Sequence, residues 1–179
     1  PSEKRAAAEQ NLVHPPEKMV RLGSPFAAFY LYEAYEKLGL QDEIVKDIYH
    51  NYVPMIEAGA TTVWESYPQG TTGRDQWPTR SHCHAWSAAP VRFFNRIILG
   101  VKAAEPGGNA IEISPHLSGL TWAKGKTLTR HGVVEVSWRK EGNRLLLNFK
   151  APQESSASFV KNPSLEGLEI VVNGQTLSK

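Results

Sequence analysis

Arg92-Phe93-Phe94-Asn95-Arg96-Ile97-Ile98-Leu99-Gly100-Val101 is the stretch at which the chain changes character. Up to Leu99 apolar residues recur at helical spacing. Beyond Gly100 they alternate, as in Ile111-Glu112-Ile113 and in Gly132-Val133-Val134-Glu135-Val136-Ser137-Trp138. A period near 3.6 and a period near 2 belong to different elements. The fold class is therefore mixed: a helical piece over 1–101, then a small antiparallel β-sandwich over 102–179.

Backwards from that junction, a helix is expected from about Ser81, carrying Trp86, Phe93, Phe94, Ile97, Ile98 and Leu99, with Pro90 interrupting its register. Ser24-Pro25 reads as a capping serine followed by proline at the first helical position, opening a helix that runs to the stop at Gly39. Asp42 is the expected cap of a further helix in which Ile44, Val45, Ile48, Tyr49, Tyr52 and Met55 recur, with Pro54 arguing for a kink or break. Forwards from the junction, Glu141-Gly142-Asn143 is the turn of a hairpin that ends in Leu145–Phe149. A last strand pair is expected at Ser158–Val160 and Leu168–Val172, with Asn173-Gly174 as a tight turn.

A chain of 179 residues with 41% apolar content buries roughly 70% of its unfolded surface, so it has a core. Twenty Lys and Arg against eighteen Asp and Glu give a net charge of +2 without a basic stripe, which argues against nucleic acid. No run approaches the apolar length of a membrane span, so no membrane partner is expected. No Gly-rich phosphate loop occurs and no cofactor is implied. Cys83 has no second cysteine to pair with and is expected to be buried and structural. His82 and His84, two apart on the expected helix, cannot chelate one ion, so no metal site is expected.

Residues 60–80 form a long loop rich in Thr, Gly, Pro and aromatics, and long loops in compact domains are commonly functional. Trp64, Tyr67 and Trp77 with Glu65, Arg74 and Asp75 suit a sugar surface: aromatic faces cover pyranose C–H groups and charged groups bind hydroxyls. Glu65, beside an indole, is the leading candidate for proton transfer. The competing reading makes it a loop carboxylate paired with Arg74 or Arg80. His82 and His84 read equally as packing histidines, and Trp86 as core. Glu33, Glu36, Glu43 and Asp47 read as solvent-facing helix charges near Lys37 or Lys46.

Three segments, Ser24-Pro25-Phe26-Ala27-Ala28-Phe29-Tyr30, Gly59-Ala60-Thr61-Thr62-Val63-Trp64-Glu65 and Ser81-His82-Cys83-His84-Ala85-Trp86-Ser87, resemble in order and spacing the last turns of the helical barrel of bacterial α-L-rhamnosidases, glycoside hydrolase family 78. Leu99-Gly100-Val101 and Ile111-Glu112-Ile113-Ser114-Pro115 resemble that family's passage into its carboxyl-terminal β domain. The chain departs from many members at His82-Cys83-His84-Ala85, where they carry Phe-Asn-His-Tyr.

The resemblance implies the end of an (α/α)6 barrel and inverting hydrolysis of terminal α-L-rhamnosides. Glu65 then matches the general base that activates water, His84 a histidine contacting the sugar, and Trp64 and Trp86 lining residues. An inverting hydrolase holds acid and base roughly 6.5–9.5 Å apart across the sugar, so two carboxylates are required. The family's acid lies earlier in the barrel, so the chain is expected to be incomplete and inactive alone, its apolar edges covered by the missing barrel segments or by another copy. The alternative is a non-catalytic carbohydrate-binding or assembly module in which the β piece binds. The compartment stays open.

Overall fold

The computed structural model describes residues 2–20, 22, 24–68 and 81–177, which fall into two compact units, Pro1–Pro90 and Val91–Lys179. Arg74, Asp75, Trp77 and Arg80 lie outside the described residues.

In the first unit, α1 (Ser2–Val13) has no counterpart in the apolar pattern. It consists largely of Ala, Glu, Gln, Lys and Arg, which favour helix by intrinsic propensity rather than by a buried stripe. Ser24 stands in extended backbone but makes no capping hydrogen bond through its side chain. Pro25 opens a 3₁₀ turn, Pro25–Ala27, that leads into α2 (Ala28–Lys37). The Tyr35 hydroxyl donates to the Leu12 carbonyl at 2.8 Å and ties α2 to α1. Gly39, at φ 75°, ends the second helix as expected.

Asp42 does not cap α3 (Gln41–Glu57); Leu40 holds that position, and Asp42 stands in the first turn, where its charge complements the helix dipole. Nor does Pro54 break the helix. So close to the carboxyl end it removes one ladder bond, and the helix continues to Glu57. Ala28, Tyr32 and Tyr35 on α2 and Ile44, Ile48, Tyr52 and Met55 on α3 are buried where the two helices pack.

The helix expected from Ser81 starts later. His84 is extended, at φ −133° and ψ 111°, and only a 3₁₀ turn, Ala85–Ser87, precedes α4 (Ala89–Phe93), which spans the boundary between the units. Pro90 sits in the first turn of α4, where its missing N–H has no ladder partner to lose. Cys83 is exposed, which corrects its expected burial.

The second unit continues as a π turn, Phe94–Ile98, in which the Leu99 N–H reaches the Phe94 carbonyl at 2.9 Å. That turn lets three consecutive apolar residues, Ile97, Ile98 and Leu99, all go into the core. The strands are β1 (Val101–Ala103), β2 (Ala110–Ile113), β3 (Trp122–Thr129), β4 (Gly132–Glu141), β5 (Arg144–Lys150), β6 (Ser156–Phe159), β7 (Glu169–Val172) and β8 (Gln175–Thr176). They form two sheets, ordered β1-β2-β6 and β3-β4-β5-β7-β8.

The β4–β5 hairpin and the Asn173-Gly174 turn stand as read. Asn173 and Gly174, at φ 48° and 82°, have the positive angles a two-residue hairpin turn requires. Two expectations fail. Neither sheet is wholly antiparallel, since β2–β6 and β5–β7 are parallel pairs. The segments expected to pair with each other, at 158–160 and 168–172, enter different sheets. Asn162 holds that crossover: its amide donates to Ser114 Oγ at 3.1 Å and to the Pro115 carbonyl at 2.9 Å. Strand β3 is a further addition. Its inner positions are Ala123, Gly125, Thr127 and Thr129, too small or polar to produce apolar alternation.

Val134, Val136, Trp138, Leu145, Leu147 and Ile170 are buried from the larger sheet, and Val101, Ile111 and Ile113 from the smaller. Each such side chain contributes roughly 1.5–3 kcal/mol. The Trp138 indole donates to the Ile98 carbonyl at 2.7 Å, so its one polar atom is satisfied inside the core. Gly100 is the tightest point. It has φ 73°, and a Cβ there would lie 2.2 Å from the backbone of Ser114 and Pro115. Gly100→Ala is expected to cost ~3 kcal/mol or more. Gly39→Ala, with the same sign of φ and open space around it, is expected to cost about 1 kcal/mol. Thermal unfolding of the two variants measures the difference, and equal losses would contradict the steric account.

Candidate functional site

Two segments of the first unit, Thr62–Glu65 and Ser81–Ser87, run beside each other and are joined main chain to main chain. The Glu65 N–H donates to the Ser81 carbonyl at 2.9 Å, and the His84 N–H to the Val63 carbonyl at 3.0 Å. Thr62 Oγ1 donates to the His82 carbonyl. Ser87, fully buried, donates from Oγ to the Trp64 carbonyl at 2.6 Å, and the Trp86 indole N–H makes a longer approach, 3.5 Å, to the Glu65 carbonyl. The backbone of Trp64 and Glu65 is therefore held by one segment about twenty positions away, through Ser81, Trp86 and Ser87.

Glu65 is 9% exposed, the one carboxylate among the described residues in the buried class. Burying a carboxylate costs free energy unless its surroundings compensate, so its position reflects a specific environment. Around it the aromatic residues form contacts. Trp64 and His82 have ring centroids 4.7 Å apart, and His84 and Trp86 4.0 Å. Trp86 also meets Phe26 edge to face at 5.3 Å, and Phe26 meets Tyr30 at 6.1 Å. Trp86, Phe26 and Tyr30 remain 43%, 50% and 64% exposed. Partly exposed rings in mutual contact offer apolar faces to a ligand whose C–H groups are themselves apolar.

Trp64, Glu65, His84 and Trp86 are thus brought into one neighbourhood. Two readings change. His82 and His84 are not on a helix, so the angular argument about them does not apply; His82 lies in a bend and His84 is extended. Tyr67 belongs to no sugar surface: it is 4% exposed and packs edge to face on Tyr52 at 5.8 Å. Ser87 and Phe26 were not singled out as site residues, although both lie in the motif segments. The signal for Ser87 is weak, because a small polar residue becomes informative only when its buried partner is known.

Helices α2 and α3, with Tyr67, carry a polar cluster. Asp47 is not a free helix charge: the Tyr32 hydroxyl donates to its Oδ2 at 2.6 Å. Glu43 does pair with Lys46, at 2.7 Å, as a surface i,i+3 contact. Burial holds the phenols of Tyr32, Tyr52 and Tyr67 above their ordinary range, and the charge of Asp47 adds to the shift of each. The hydroxyls of Tyr52 and Tyr67 are enclosed and make no hydrogen bond of good geometry among the described residues. Among those residues there is also no group of three His, Cys, Asp or Glu placed to hold a metal ion, and no helix long and apolar enough to cross a membrane.

Residues 2–98 match the family described as bacterial alpha-L-rhamnosidase 6 hairpin glycosidase domain, and residues 100–175 the bacterial alpha-L-rhamnosidase C-terminal domain. An alpha-L-rhamnosidase of Alteromonas sp. (strain LOR) is 33% identical over 143 residues, 78% of this chain and 15% of that protein. Among solved structures, a GH78 family rhamnosidase of Bacillus sp. GL1 superposes with a TM-score of 0.85 at 41% identity, over 95% of this chain and 18% of its own. An alpha-L-rhamnosidase from Dictyoglumus thermophilum superposes with a TM-score of 0.67 at 27% identity, over 87% and 18%. The chain thus spans under a fifth of the length of these relatives.

Two outcomes follow for the site. Ser87→Ala leaves the Trp64 carbonyl without its buried donor and is expected to cost about 1–3 kcal/mol, read by denaturant unfolding; a loss below about 0.5 kcal/mol contradicts the clamp. The tyrosines give a pH dependence. Their folded pKa values lie above the unfolded value of 10.0, so their contribution is complete below pH 10.0. Above it the unfolded chain releases protons that the folded unit retains, and stability falls. The Tyr52→Phe and Tyr67→Phe variants should each flatten that alkaline slope, and an unchanged slope contradicts the assignment.

Proposed function

The chain belongs to the bacterial alpha-L-rhamnosidase family, and from that premise we propose that it supplies the water-activating half of an inverting glycosidase site that removes terminal α-L-rhamnose from glycosides or polysaccharides. In this reading residues 1–101 are the last helices of an (α/α)6 barrel and residues 102–179 the β-sandwich domain that follows. Glu65 is the general base. It takes a proton from water as the oxygen attacks the anomeric carbon, while a carboxylic acid elsewhere protonates the leaving oxygen.

The observation that carries the reading is the burial of Glu65 together with the clamp on its backbone. A base for water attack must keep one orientation while the sugar reacts, and misplacement by about 1 Å costs as much as 10²-fold. The bonds from Glu65 to Ser81, from Ser87 to Trp64 and from His84 to Val63 supply that fixity without using the carboxylate. His84 donates a hydrogen bond to a sugar hydroxyl, and Trp64 and Trp86 give the ring its apolar walls. In relatives about five times longer than this chain there is room for the acid in the remaining protein. We place it there, with the rest of the barrel, or a second copy of the chain, covering the helices; the chain alone is then inactive.

Glu65→Gln in the complete protein tests the role. Hydrolysis of an aryl α-L-rhamnoside should fall by roughly 10²–10⁴-fold with an unchanged melting temperature. Turnover within about threefold of wild type would remove Glu65 from the mechanism. Product released by the wild type should first appear as the β anomer by proton NMR.

A further inference from the structure

The outer face of the larger sheet holds features that the core does not explain. Alternation places Trp122 and Lys124 of β3, Ser137 and Arg139 of β4, and Leu146 and Asn148 of β5 on one surface. The register sets Trp122 opposite Arg139, Lys124 opposite Ser137, Ser137 opposite Asn148 and Arg139 opposite Leu146. These six side chains line an open depression of about 370 Å³. A second, of about 340 Å³, adjoins it, shares Lys124, Ser137 and Asn148, and extends to Lys126, Glu135 and Lys150.

Trp122 is 64% exposed, and a large indole left on a sheet face loses the free energy it would gain in a core. The charges on the surface are unbalanced. Lys126 is paired with Glu135 at 2.7 Å and Arg144 with Glu169 at 3.2 Å. Lys124, Arg139 and Lys150 make no ion pair among the described residues, although Glu135, already bonded to Lys126, stands opposite Lys150 and in the field of Lys124. Glu141 lines the first depression with Lys124 and Arg139, and the cations still outnumber the two carboxylates. From Glu135 to Arg139 the strand spans roughly 13 Å, longer than one pyranose ring.

We propose that this face binds a uronate-bearing oligosaccharide, with Trp122 against the C–H face of one sugar, Arg139 and Lys124 on sugar carboxylates, and Ser137 and Asn148 on hydroxyls. Arg139 presents paired N–H donors that match a carboxylate, and its exposed setting gives weak, salt-sensitive binding. The depression is too open to enclose a compact apolar ligand, but an aromatic ring beside hydroxyl, amide and cationic groups fits a sugar chain lying along the sheet. The inference rests on the second unit and on the family's glycosidase character, and is independent of the role of Glu65.

Titration of the full chain with trigalacturonate, followed by amide NMR, tests it. Shifts should concentrate on β3, β4 and β5, with affinity weakened about tenfold by Trp122→Ala and by Arg139→Ala and unchanged by Glu65→Gln. Maltotriose, which is neutral, should bind at least about tenfold more weakly. Absence of shifts at about 10 mM probe, shifts centred elsewhere, affinity indifferent to both substitutions, or equal binding of maltotriose would each overturn the proposal. A sulfated carrageenan oligosaccharide that binds more tightly than trigalacturonate would overturn its assignment to carboxylates.

Discussion

The hydrogen-bonded pairing of Thr62–Glu65 with Ser81–Ser87 is the constraint on which the first unit's chemistry depends. It brings together segments whose ends would otherwise be free to separate, and closing such a loop costs conformational entropy that local contacts must offset. It does so largely with backbone groups and one buried hydroxyl, so side chains of very different type can be carried at fixed positions. Glu65, Trp64, His84 and Trp86 are all carried in this way. A carboxylate held in a partly dry site has fewer arrangements to sample, and its interactions are less screened than at an open surface.

Helices α2 and α3 carry a polar cluster that Tyr67, from the loop bearing Glu65, meets through Tyr52. Tyr32, Tyr52 and Tyr67 put three phenols near Asp47, and only the Tyr32 hydroxyl meets that carboxylate in a short hydrogen bond. The enclosed hydroxyls of Tyr52 and Tyr67 form no well-aligned hydrogen bond among the described residues, but each lies in the field of the other's phenol and of Asp47. Tyr67 is two residues beyond Glu65, which ties that cluster to the loop bearing the candidate base.

Much of this was legible in the residues, and the failures share physical causes. The switch of period at Gly100 separated helix from sheet because burial on one face of each element leaves a pattern. Helix α1 left none, being held by propensity, and β3 left none, because small residues lie where its inner face meets Leu99. The parallel pairing of β6 with β2 and of β7 with β5 is made by contacts distant in the chain, as are the bonds of Asn162 between them to Ser114 and Pro115, and local alternation is blind to both. At the site, the residue types and their spacing singled out Glu65, Trp64, His84 and Trp86 as candidates through resemblance, and the hydrogen bonds and ring contacts bring these four into one neighbourhood. The non-helical path of Ser81–His84, the exposure of Cys83 and the burial of Tyr67 depend on tertiary packing, which overrides local preference. The outer face of the sheet shows the same limit: an alternating strand predicts which residues point outward, and only the register across three strands places Trp122 beside Arg139.

The central claim is that Glu65 activates the attacking water. Azide rescue of Glu65→Ala in the complete protein tests this most directly, because a small anionic nucleophile needs no base and fits the space left by the carboxylate. The account predicts that the variant is nearly inactive on an aryl α-L-rhamnoside, that azide restores turnover in proportion to its concentration, and that the product is the β-rhamnosyl azide. An inactive variant that azide does not rescue, or an α-azide product, would contradict it.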